Sequence, residues 1–78
     1  MRGHTHRDAE RVAAQVRKNR NATHLLREVA AGRDRIFYTD ERPPGWLLLY
    51  RKNIAVQDAA DDNRAILTAF GRDVVDLL

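Results

Sequence analysis

Apolar residues recur at three- and four-residue spacing from Ala9 through Val12 and Ala13 to Val16, while Arg7, Arg11 and Arg17 lie off that stripe. This spacing predicts an amphipathic helix. Thr5 followed by Asp8 supplies capping-box logic at its start, with aspartate in the acidic role. The polar run Arg17-Lys18-Asn19-Arg20-Asn21 then interrupts the pattern. Asn21 or Thr23 is suited to cap a restart. Leu25, Leu26, Val29 and Ala30 resume the apolar face, and Gly32 is suited to end it. The reading is two helical segments, about 5–18 and 22–31, with one long helix through a wet turn as the alternative.

The period changes beyond residue 34. Arg35-Ile36-Phe37-Tyr38-Thr39 is β-branched and aromatic, which predicts a strand. Asp40-Glu41-Arg42-Pro43-Pro44-Gly45 reads as a turn, and Trp46-Leu47-Leu48-Leu49-Tyr50-Arg51 as the returning strand. The expected hairpin over 35–51 has apolar side chains on both faces, whereas a solvated hairpin has one. Ile54-Ala55-Val56 is a candidate third strand; alternatively Asn53 caps a helix whose N-terminus carries Asp58, Asp61 and Asp62. Ile66, Phe70, Val74 and Leu77 form a helical stripe, widened by Leu67, Val75 and Leu78. Gly71 inside it either costs about 1 kcal/mol relative to alanine or marks a break. The fold class is therefore α+β: N-terminal helical segments, an antiparallel hairpin and a C-terminal amphipathic helix. All 78 residues form one small domain, with residues 1–4 expected to be disordered.

Composition narrows the chemistry. Hydrophobic residues make up 44% and charged residues 32% of the chain, with a mean hydropathy of −0.58. These values suit a soluble, cytoplasmic globular domain, and no apolar run approaches the roughly 20 residues of a membrane span. Cysteine and serine are both absent, which excludes disulfides, thiolate metal sites and the commonest hydroxyl nucleophile. His4 and His6 have metal-site spacing but lack a third ligand, and His24 stands alone. Asp58, Asp61 and Asp62 lack the Gly turn and ligand number of a calcium loop. No cofactor or metal is expected, and the balance leans against an enzyme.

Charge divides unevenly along the chain. Residues 1–30 carry seven Lys/Arg against three acids, residues 31–52 five against three, and residues 53–78 two against five. The basic front is suited to a polyanion, although arginine abundance also follows from GC-rich codon usage. Arg7, Arg11, Arg17, Lys18 and Arg20 on the first helix are the candidate nucleic-acid contacts. Arg7, Arg11 and Lys18 fall near one helical edge, whereas Arg17 and Arg20 flank another. The order of elements also fits a degenerate winged helix, in which the second helix offers only His24 and Arg27 as donors.

Two other function classes compete. Arg35-Ile36-Phe37-Tyr38 followed by Leu48-Leu49-Tyr50-Arg51-Lys52 bears a faint likeness to two sheet strands of RelE-type toxins, over less than a quarter of the chain. The likeness implies a metal-independent ribonuclease with Arg35, Tyr50, Arg51 and Lys52 in binding and acid–base roles; it does not identify the chain as a member. The apolar excess instead points to a protein-partner module of inhibitor, antitoxin or anti-defence type. Tyr38, Trp46, Tyr50, Phe70 and Val74 are its candidate interface residues. The leading expectation is a small non-enzymatic regulator of bacterial or phage type that binds DNA or RNA. A homodimer is also expected, because a lone hairpin is marginal and two apolar faces need cover.

Overall fold

The computed structural model describes residues 6–33, 36–37 and 41–78. Its element order is α1 (His6–Arg17), α2 (Arg20–Ala30), α3 (Trp46–Arg51), β1 (Ala55–Asp58), β2 (Asp61–Leu67) and α4 (Ala69–Asp76). The α+β class holds, with helices first, one antiparallel hairpin and a C-terminal helix. The hairpin, however, lies about twenty residues later than its expected place. The expectations for residues 1–4 and for Arg35, Tyr38 and Thr39 lie outside the described residues.

The two N-terminal helices follow their periodicity. Ala9, Val12, Ala13 and Val16 are all buried, and α1 packs with this small-residued stripe against α2 and α4. The restart is capped by Asn19 rather than Asn21 or Thr23: the Asn19 side chain accepts the Ala22 N–H at 3.0 Å. Thr23 is used differently, its hydroxyl donating to the Val16 carbonyl at 2.7 Å. That bond ties the last turn of α1 to the first of α2. Ala22, Leu25, Leu26 and Val29 form the buried face of α2, whereas Ala30 is exposed.

The predicted returning strand is a helix. In α3, Trp46 and Leu49 are buried while Leu47, Tyr50 and Arg51 face outwards, a spacing of three and four rather than two. Leucine is a strong helix former, and this run lacks the interspersed polar residues that reveal a strand. Gly45 takes φ 91° at its N-cap, and a Cβ there would lie 2.6 Å from the Ala22 backbone nitrogen, so glycine is required on both counts. Phe37 packs edge-on against Trp46 at 4.7 Å between ring centroids, with the Arg42 guanidinium 4.5 Å over the Phe37 ring.

The hairpin occupies the stretch for which the sequence offers either a third strand at Ile54-Ala55-Val56 or a helix start at the acidic cluster; β1 bears out the strand, and the helix start is not formed. Ala55 pairs with Leu67, Val56 with Ile66 and Gln57 with Ala65. Asp58 accepts the Ala60 N–H at 2.9 Å and Asp61 accepts the Asn63 N–H at 3.0 Å. These Asx bonds shape the turn, so the aspartates serve a tight reversal instead of a helix dipole. Ile36 and Phe37 both donate their N–H groups to the Asn63 carbonyl, at 2.8 and 2.9 Å, holding that segment along β2. Consequently Ile66 and Leu67 belong to a strand, and α4 begins only after Thr68, which caps it by accepting the Gly71 N–H at 2.8 Å.

The core joins all these elements. Leu26, Leu49, Ile54, Val16 and Val74 are its largest fully buried side chains. Among the described residues, no helix is long and apolar enough to cross a membrane.

Candidate nucleic-acid interface

The Lys18–Asn19 link resets the helical phase between α1 and α2. As a result, Arg20, Thr23, His24 and Arg27 fall on one face of α2 at positions i, i+3, i+4 and i+7. Arg17 reaches the same place from the end of α1. These five residues line an open depression of about 360 Å³. Arg17, Arg20, His24 and Arg27 are exposed, and Thr23 is half-buried. Among the described residues, neither Arg20 nor Arg27 forms an ion pair. The Arg17 guanidinium donates to the Leu77 carbonyl, which fixes its position against the end of α4.

The expected basic face of α1 is only partly grouped this way. Arg7, Arg11 and Lys18 are exposed, but the Arg11 Nη2 bonds the Asp8 carboxylate at 2.7 Å. Arg17 and Arg20, expected at a different edge from Arg7, Arg11 and Lys18, join His24 and Arg27. The sequence offers His24 and Arg27 as donors of a second helix but counts Arg17 and Arg20 with the first, so it does not bring the four together.

The candidate protein interface separates into buried and exposed parts. Trp46, Phe70 and Val74 belong to the core, where they hold the elements together and leave little or no side-chain surface exposed. Tyr38 lies outside the described residues. Tyr50 is 57% exposed, and Leu47, one turn earlier on α3, is 56% exposed.

The residues singled out for a ribonuclease are arranged unlike a strand pair. Leu48–Arg51 is helical and Lys52 is its C-cap, so the second of the two strands carrying the toxin likeness is not formed. Arg35 lies outside the described residues. The winged-helix comparison fares differently. Helices, hairpin and terminal helix do follow in order, yet the hairpin tip carries Asp58, Asp61 and Asp62, which repel phosphate. His6 lies 3.7 Å from the Glu10 carboxylate. Among the described residues, no group of three or more His, Cys, Asp and Glu side chains is placed to hold a metal ion.

Compared with protein-family models, curated proteins and solved structures, the chain has no significant match.

Proposed function

We propose that this chain is a non-enzymatic regulatory protein that binds nucleic acid through the exposed face of α2, with duplex DNA as the first ligand to test. The observation carrying this reading is the convergence of Arg17, Arg20, His24 and Arg27 around one depression whose described lining contains no carboxylate. Arginine forks match phosphate oxygens. A single exposed helix face is also what the major groove of B-form DNA admits, whereas the deep, narrow groove of A-form RNA does not. His24, exposed between the arginines, has ring nitrogens to meet a base edge, whereas the Thr23 hydroxyl proton is already given to the Val16 carbonyl. Arg20 and Arg27 grip the backbone on either side.

The test is titration of labelled duplex DNA and RNA at low and physiological salt. Affinity that falls steeply with salt, and more strongly favours DNA, supports the reading. An absence of binding to either polymer at low salt overturns it.

A second reading, contact with a protein, has its own observation in the exposed pair Leu47 and Tyr50. A second copy of the chain is the first partner to test. The surface is smaller than the sequence implied, because α3 turns Trp46 and Leu49 into the core. Sedimentation at micromolar concentration decides it: a dimer that dissociates in Leu47→Glu supports this contact, and a stable monomer rejects it.

A further inference from the structure

We propose a second phosphate-binding site in the depression between α1 and the end of α3, engaged by the same nucleic acid that lies on α2. Its ligand rests on the reading of α2 given above. Arg11 of α1 and Arg51 and Lys52 at the end of α3 come together there around a depression of about 330 Å³, with Val12 and Phe70 among its lining. Asp8 is the carboxylate of that lining, and it is bonded to Arg11. Arg51 and Lys52 form no ion pair among the described residues, so the depression keeps a net positive charge.

The cations are presented by a fixed piece of backbone. Asn53 takes φ 59°, the left-handed conformation that asparagine tolerates better than other side chains. Its N–H donates to the Tyr50 carbonyl at 3.1 Å, and the Ile54 N–H donates to the Leu49 carbonyl at 2.9 Å. This is the Schellman pattern of a helix end, and Leu49 and Ile54 are both fully buried in the core. Arg51 and Lys52 therefore leave a rigid helix terminus, and little backbone ordering is needed when an anion arrives.

Position relates this site to the first. Arg11 and Arg17 are six residues apart on α1, about 9 Å along the axis and roughly 120° around it. The two depressions thus flank α1. Across a helix about 10–12 Å in diameter, that rotation adds about 9–10 Å of transverse separation, so the depressions stand about 13 Å apart. Phosphates recur about every 3.4 Å of axis along each strand of a duplex, and the separation spans about four nucleotides. A polymer can occupy both depressions at once. A mononucleotide cannot.

The experiment measures the slope of log affinity against log salt for a labelled duplex of about two helical turns, for the full chain and three variants: R20Q/R27Q, R51Q/K52Q and R51Q alone. Thermal melting confirms that each is folded. Because each lost phosphate contact lowers the slope by about one unit, R51Q/K52Q is expected to lower it by about two and R51Q by about one. The single variant removes only an exposed side chain, and it keeps the test decisive should the half-buried Lys52 prove necessary for folding. If the slopes of the folded Arg51 variants equal the parent's while that of R20Q/R27Q falls, the second site is wrong and the α2 reading stands. If the parent binds no duplex at low salt, both are wrong.

Discussion

Gly71 of α4 lies directly against the backbone carbonyl of Ile54: a Cβ at position 71 would sit 1.9 Å from that oxygen and 2.9 Å from its carbon. A glycine within an apolar helical stripe thus marks neither a break nor mere tolerance. It is where the C-terminal helix meets the chain entering β1. Thr68 serves the same junction, its hydroxyl donating to the carbonyls of Asn53 at 2.5 Å and Ile54 at 3.2 Å while capping α4.

Gly71→Ala is therefore expected to destabilise the protein, although alanine is the better helix former. Overpacking against backbone costs about 1–3 kcal/mol, which exceeds the helix-propensity gain of about 1 kcal/mol. Chemical denaturation measures the sign. A more stable Gly71→Ala protein would show that α4 does not approach Ile54 this closely.

The end of α3 gives a conformational test. Asn53 has positive φ but no Cβ branch, so Asn53→Gly should be tolerated. Asn53→Val should lose about 1–2 kcal/mol, the cost of forcing a side chain into the left-handed region. Equal midpoints for the two variants in urea would contradict this backbone geometry.

The contrast between α3 and the hairpin explains which parts of the fold were legible. In α1 and α2, polar residues separate the apolar ones, so the helical period is visible in Ala9, Val12, Ala13 and Val16. Trp46-Leu47-Leu48-Leu49-Tyr50 has no polar residue to fix a period, and its aromatic ends suggested a strand. Residues 58–63 erred in the opposite direction. Asp58, Asp61 and Asp62 have poor strand propensity, but Asx bonds and the Ile36 and Phe37 N–H groups on Asn63 hold them in a hairpin. Those constraints are tertiary and leave no periodic trace. The candidate site was half legible for a related reason. Its arginines were evident, but their grouping depends on a phase reset at Lys18–Asn19, created by the Asn19 cap and the Thr23 bond to Val16.

That junction can be loosened separately from the charges. Asn19→Ala removes the bond to the Ala22 N–H and is expected to cost about 0.5–2 kcal/mol. Since Arg20 sits in the first turn of α2, fraying there should also weaken duplex binding while all basic residues remain. Asn19→Asp retains the cap and should restore stability. Calorimetry and titration on the three proteins check both effects, and undiminished stability in Asn19→Ala would show that the cap does not set the start of α2.

The final prediction separates the two helices as sources of binding energy. If α1 tracked phosphate along its own edge, Arg7 would contribute as much as any arginine of α2. The geometry argues otherwise. Arg7 lies in the first turn of α1, ten residues before Arg17, about 15 Å along the helix and remote from the depression that Arg17 shares with α2. At physiological salt the screening length is only about 8 Å, so a charge at that distance contributes little to a phosphate bound beside Arg27. Arg7 lines neither that depression nor the one at Arg11, but it lies one turn from Arg11. Arg7→Gln should therefore lower the salt slope by well under one unit, whereas Arg27→Gln should lower it by about one. Neither side chain is in the core, and both variants should melt with the parent. A slope reduced by Arg7→Gln and untouched by Arg27→Gln would move the interface back to the outer edge of α1 and remove the case for α2.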